Sequence, residues 1–260
     1  RENIMLKKTS LALAISMMAA GPAFSGTFTN GGFEDGNLNG WTQGGGYWGY
    51  NSGSVYVPYT GGALPTAPQY AGGTSNNTIM SGGTDPITGQ NTVYNGNYSV
   101  RVNDSNNNYS VSTLTQQVLN YTDNDIFFQW NAVLEASHGL SDSDYFSLTL
   151  TDDTTSTVLL TRSYSSASAA GLFKQYGRWY GSGWQLEHID LAALGVVGHD
   201  FTLSLLASDC PYGGHAGYVY LDGFAPVIQP PGPTVPEPAT LALLGLGLAG
   251  LGVTRRRKTV

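Results

Sequence analysis

The sequence is poor in charge, nearly empty of cysteine and short of cations away from its ends. Only 11% of its 260 residues are charged, against about 25% in an average soluble domain. Its single cysteine, Cys210, cannot form a disulfide within the chain, so the fold must hold without such staples. Between residues 26 and 227 the only cations are Arg101, Arg162, Lys174 and Arg178, against 16 carboxylates. That imbalance excludes nucleic acid as a partner, because phosphate binding rests on Lys and Arg. Catalytic signatures are missing too: there is no Gly-x-Ser-x-Gly, no His-Glu-x-x-His and no phosphate loop. The four histidines, His138, His188, His199 and His215, are scattered. Glu135 and Glu187 are candidates for a glycosidase pair by residue type alone, and nothing in their spacing supports it. No Gly-x-y period and no repeat of solenoid length is visible, which excludes collagen and propellers. What the chain does have is 35 Gly, 16 Tyr and 5 Trp, the composition of a loop-rich β domain that works by binding.

Both ends read as addresses. Residues 5–25 form a secretory signal: Lys7 and Lys8, an apolar stretch from Leu11 to Ala20, and a small-x-small cleavage site at Ala23-Phe24-Ser25. The other end has a Pro-rich spacer over 228–234, then Val235-Pro236-Glu237-Pro238, an apolar helix candidate from Ala239 to Val253, and Arg255-Arg256-Arg257-Lys258. Fifteen helical residues reach about 22 Å, a minimal transmembrane helix for a hydrocarbon core of about 30 Å. The terminal cations put its end in the cytoplasm and the body on the far side. Residues 235–258 resemble the PEP-CTERM sorting signal of Gram-negative bacteria. The resemblance implies transient contact with the inner membrane, cutting near Pro236 to Pro238 by an exosortase, and delivery of the body to the cell surface or exopolysaccharide matrix.

The body, residues 26–227, alternates apolar and polar residues with period 2, the mark of strands with one buried face. Strands are expected at Tyr98 to Asn103, Thr113 to Val118, Ile126 to Ala132, Phe146 to Leu150, Phe201 to Leu205 and Tyr218 to Tyr220. Asn106-Asn107-Asn108, Asp123-Asn124-Asp125 and Asp152-Asp153 supply turns between them. The pattern predicts an all-β antiparallel sandwich, with one short helical turn at Leu191 to Leu194 capped by Asp190. Residues 42–97 read as a Gly- and Tyr-rich insertion with short strands near Ser54 to Val57 and Thr92 to Tyr94. Asp142-Ser143-Asp144 reads as a solvated turn, and Cys210 as a small buried residue.

Asn30-Gly31-Gly32-Phe33-Glu34 with Gly40-Trp41, and Gly214 to Asp222, resemble the opening and closing strands of carbohydrate-binding modules with the galactose-binding-like jelly roll. That resemblance implies a structural Ca²⁺ at Glu34 and Asp222, a chemistry suited to carboxylates on the two terminal strands. Aromatic residues are the main clue to a ligand, because sugar rings stack on exposed aromatic faces. Trp48 and Tyr50 in the insertion, and Trp179 and Tyr180 beside Arg178, are the candidate contacts. The expected function is non-catalytic binding of extracellular polysaccharide. The alternative is a self-associating structural or adhesive matrix component, for which low charge and exposed strand edges are suited.

Overall fold

A computed structural model of the chain describes residues 26–48, 66–138, 143–168, 171–211, 215–228 and 230–231. The signal over 5–25, Tyr50, the strand expected near residues 54–57 and the sorting segment over 235–258, with Val235, Pro236, Glu237, Pro238, Arg255, Arg256 and Arg257, lie outside the described residues. Among the described residues no helix is long and apolar enough to cross a membrane.

The period-2 segments become the strands of two antiparallel sheets. The five-stranded sheet runs β1 (Thr42–Tyr47), β4 (Ser110–Val118), β11 (Phe201–Ser208), β6 (Tyr145–Asp152) and β7 (Thr157–Ser165). The seven-stranded sheet runs β2 (Thr78–Ser81), β3 (Tyr98–Val102), β12 (Gly217–Ala225), β5 (Asp125–Glu135), β9 (Trp179–Gly181) and β8 (Lys174–Tyr176), with β10 (Gln185–Asp190) also paired to β5. Leu114, Phe146, Leu148, Phe201, Leu203 and Leu205 face Ile126, Phe128, Trp130, Val219 and Leu221 in one continuous core. Each such side chain, fully buried, contributes about 1.5–3 kcal/mol, which is how a chain with no internal disulfide holds together. The helix α1 (Leu191–Leu194) forms where expected, its Ala193 N–H donating to Asp190 Oδ1 at 2.8 Å.

An ion pair between half-exposed Arg162 and buried Glu187 clasps one sheet to the other. Arg162 of β7 donates from Nε and Nη2 to the two oxygens of Glu187 on β10, both at 2.7 Å, and Trp130 Nε1 donates to the same carboxylate at 2.8 Å. Glu187 is therefore a structural anchor. Glu135, fully buried, is paired with Arg178 and accepts the Ala216 N–H at 2.9 Å. The two carboxylates are thus committed to structure, each on its own partner.

Several expectations are corrected. The opening segment Asn30–Glu34 is a run of turns and not a strand. Phe33 adopts φ 59° and stacks on Trp41 at 5.1 Å, so this segment plugs the core end with rings in place of ladder bonds. Thr42–Tyr47, read as part of an excursion, is the edge strand β1. Its glycines make that possible: a Cβ on Gly44 would stand 2.3 Å from the Tyr70 carbonyl, and one on Gly45 2.3 Å from that of Thr74, where the following loop crosses the strand. Thr92 to Tyr94 is a turn beside the isolated bridge Thr84–Asn91. Asp144 is fully buried, so the turn read at 142–144 is not a solvated one at that residue. In β12 the core takes Val219 and Leu221, while Tyr218 and Tyr220 form a separate outer cluster with Val133, Trp179 and Trp184. Both hydroxyls donate to Asp85 Oδ2, at 2.6 and 2.8 Å, so the segment carrying Asp85 roofs that sheet face.

Candidate functional site

The outer face of the five-stranded sheet is the other half of the same alternation. Along β6 each inward Phe or Leu (Phe146, Leu148, Leu150) is followed by an outward Ser or Thr (Ser147, Thr149, Thr151), and β4 and the first half of β11 do the same at Leu114-Thr115, Phe201-Thr202 and Leu203-Ser204. The register lines these groups up: Thr42, Thr115, Ser204, Thr149 and Thr161 are consecutive partners across all five strands, a single rung of hydroxyls. Thr115 Oγ1 and Ser204 Oγ stand 3.3 Å apart within it. Thr113 and Ser147 flank the rung on one side, Thr202 and Thr151 on the other. The rung forms the floor of a groove of about 620 Å³.

The 3-10 turn Ala67–Tyr70 walls the groove along β1, held down by the close approach at Gly44. At one end the floor becomes apolar, where Tyr70, Val111, Tyr145 and Leu206 cluster with Trp48 packed against them. The Tyr145 hydroxyl accepts from Ser163 Oγ at 3.1 Å. At the other end Asp153 Oδ2 accepts from Gln117 Nε2 at 2.9 Å and from Thr202 Oγ1 at 2.6 Å. Among the described residues no Lys or Arg lines this groove. A trough with a hydroxyl floor, an aromatic end and no cation suits a neutral, hydroxyl-rich, elongated ligand.

The expected contact residues fall on different faces. Trp48 packs against the cluster that contains Tyr145, which lines the groove, but does not line the groove itself. Trp179 and Tyr180 belong to β9 of the other sheet, where Trp179 packs toward Tyr218 at 6.2 Å and adjacent Arg178 pairs with Glu135. Trp184 also sits there, its Nε1 donating to the Asn91 carbonyl at 2.9 Å. Trp48 is therefore not assembled with Trp179, Tyr180 and Arg178 into one site. The hydroxyl rung is the feature that a reading for aromatics passes over. Its signal is the polar half of the alternation, in Thr113-Leu114-Thr115, Ser147-Leu148-Thr149-Leu150-Thr151 and Thr202-Leu203-Ser204.

Glu34 and Asp222, distant in sequence, do share one cavity, about 220 Å³ and lined also by Gly32, Asn95 and Gly223. Asp222 is buried, and its Oδ2 accepts the N–H groups of Tyr94 and Asn95 at 2.9 and 3.0 Å. Among the described residues its Oδ1 has no hydrogen-bond partner of good geometry. Burial, opposed by those hydrogen bonds and reinforced by the Glu34 charge, pushes its pKa up to about 7. Glu34 accepts from the backbone of Asn97 and Tyr98 at 3.0 and 3.1 Å, which brings its carboxylate over Gly96. Two carboxylates, an orphaned buried oxygen and no cation partner make a donor set that fits a hard divalent ion.

Comparison with known proteins bears first on the C-terminal end. Residues 234–258 match the model of the PEP-CTERM protein-sorting motif. The chain carries that sorting signal. The motif marks an exported protein, sorted to the cell envelope of a Gram-negative bacterium and processed by an exosortase. No curated protein matches the chain. Similar solved structures include carbohydrate-binding modules. One is TmCBM61 in complex with β-1,4-galactotriose, at 11% identity and TM-score 0.40, covering 77% of this chain and 97% of that one. Another is the Caldicellulosiruptor saccharolyticus module CBM27-1 in complex with mannohexaose, at 10% identity and TM-score 0.38, covering 76% and 96%. A third is CBM28, specific for non-crystalline cellulose, at 14% identity and TM-score 0.37, covering 76% and 93%.

Proposed function

We propose that the sorted body is a non-catalytic module that holds an extracellular polysaccharide along the groove of the five-stranded sheet. The rung Thr42, Thr115, Ser204, Thr149 and Thr161 carries this reading. A row of hydroxyls at strand spacing, about 4.8 Å, offers each sugar of a chain both donors and acceptors. Tyr145, lining the groove end with Trp48 packed behind its cluster, supplies the apolar surface on which a sugar C–H face rests. With no cation in the lining, the polymer is neutral or weakly charged, and retention is nearly insensitive to salt.

The test is calorimetry or affinity electrophoresis against a panel of neutral and acidic polysaccharides, with Thr149→Val and Trp179→Ala compared. Losing one hydroxyl contact costs about 1 kcal/mol, close to fivefold in affinity. Thr149→Val should therefore weaken retention about fivefold, with Trp179→Ala unchanged. The opposite pattern moves the site to Trp179, Tyr180 and Arg178. Concentration-dependent assembly without any retention would instead favour the self-associating matrix component. The edge strand β7, which pairs with β6 and exposes Val158 at 55%, supports that second reading.

Ca²⁺ at Glu34 and Asp222 belongs to the same proposal. The orphaned Asp222 Oδ1 beside Glu34 supports it. An ion there would join the turns at the start of the body to β12 at its end.

A further inference from the structure

The sandwich carries a second set of ligand-type side chains toward its other end. His138 follows the end of β5, Cys210 follows β11, and His215 stands two residues before β12. Three segments far apart in sequence thus deliver two imidazoles and one thiol to one place. Their ligand atoms all lie within 4.8 Å of one another. Cys210 Sγ is 3.6 Å from His138 Nδ1, and the two histidine rings meet edge to face with centroids 4.7 Å apart. A tetrahedral ion bonded at about 2.3 Å to sulfur and about 2.0 Å to nitrogen sets those two atoms about 3.5 Å apart. The observed spacing already matches it.

The backbone that presents these groups is tied in place. Cys210 N–H donates to the His215 carbonyl at 2.9 Å, closing the chain between two of the ligands. Glu135 N–H donates to the Ala216 carbonyl at 3.0 Å, and Ala216 N–H returns to Glu135 Oε2 at 2.9 Å. The strand leading to His138 is thereby locked to the one that follows His215. Exposure is graded across the cluster: Cys210 is fully buried, His215 half-buried and His138 exposed. An ion held here would have a dry thiolate side and an open side toward water.

We propose that His138, Cys210 and His215 bind a borderline-soft first-row transition ion, Zn²⁺ above all, with the fourth position open to solvent. Thiolate and imidazole are the ligands Zn²⁺ takes, and Ca²⁺, which demands oxygen, is excluded from this site. The ion would tie the ends of β5, β11 and β12 together and mask the chain's one thiol.

The full chain, stripped with EDTA, is titrated with Co²⁺ and then with Zn²⁺. One equivalent of Co²⁺ should give the near-ultraviolet thiolate-to-cobalt charge-transfer band and the intense visible bands of a tetrahedral site, and Zn²⁺ should erase both. Cys210→Ser should lose the charge-transfer band. His138→Ala, a change at an exposed residue that spares the fold, should weaken Co²⁺ binding at least tenfold. Asp222→Asn should leave the spectrum intact. Absence of the charge-transfer band in the unaltered protein, or unchanged Co²⁺ affinity in both His138→Ala and His215→Ala, overturns the proposal.

Discussion

Replacing Arg162 by Met keeps the aliphatic stem and removes the two donors that clasp Glu187. The carboxylate side chain is only 8% exposed and is then left with the Trp130 Nε1 bond alone. Charge-assisted hydrogen bonds contribute about 1.5–3 kcal/mol each. Arg162 is 36% exposed, so water recovers part of the loss, and the net cost should be about 2–3 kcal/mol. In a domain of this size that lowers Tm by about 5–10 °C. The assay is urea unfolding followed by tryptophan fluorescence, with Arg162→Met, Glu187→Gln and the double variant compared at one pH. The double variant removes the stranded charge and leaves an amide oxygen for Trp130, so it should recover more than half of the loss. Polysaccharide retention should fall too, because Thr161, the residue before Arg162 on β7, forms the last position of the hydroxyl rung. A cost below about 0.5 kcal/mol for Arg162→Met, or a double variant no more stable than the single, would refute the clasp.

Two further outcomes are expected. Adding Ca²⁺ to the metal-stripped protein should raise Tm by several degrees, since an ion at a hundredfold excess over Kd contributes about 2.7 kcal/mol, and Asp222→Asn should abolish the rise; identical melting with and without added Ca²⁺ in the unaltered protein removes the ion. On the acid side, Asp85 is the group to follow. Burial would raise its pKa, but hydrogen bonds from Tyr218, Thr88 and Tyr220 outweigh that and hold it below the usual 3.8. A carboxylate lowered in this way stabilises the fold above its unfolded pKa, and the contribution disappears as pH falls through the folded one. The stability gap between the unaltered protein and Asp85→Asn should therefore be full at neutral pH and shrink below about pH 4; a gap constant from neutral to acid pH counts against it.

The strands were legible because core-facing residues alternate with polar neighbours over enough of each strand, cleanly along Phe146 to Thr151 of β6 and over Thr113 to Val118 of β4 and Phe201 to Leu205 of β11, while β5 keeps the period only around Phe128-Gln129-Trp130-Asn131-Ala132. The Asp190 cap was legible for a local reason: its hydrogen bond reaches only three residues along the chain. β1 was hidden, since Thr-Gln-Gly-Gly-Gly-Tyr has no alternation and becomes a strand through pairing with β4 and the loop that crosses it. In β12 the alternation alone does not say which set faces the sandwich interior, because Tyr218 and Tyr220 are large and aromatic too; Val219 and Leu221 fill the interior, and the tyrosines lie under the Asp85 segment. The hydroxyl rung was present in every strand but invisible as a unit, because register between strands is a tertiary property. Glu34 and Asp222 were paired on resemblance, and the fold brings them to one cavity.

The placement of β12 has a mechanical consequence for a body retained through its C-terminal end. This strand is the last before the sorting signal, and it lies between β3 and β5, bonded on both sides. A pull on the tail is thus a pull along an interior strand. Its ladder bonds, which run perpendicular to the strand, would be loaded together in shear and not opened one after another as at a sheet edge. If the groove holds a glycan as proposed, tension between that glycan and the tail would load the groove contacts and this ladder in series.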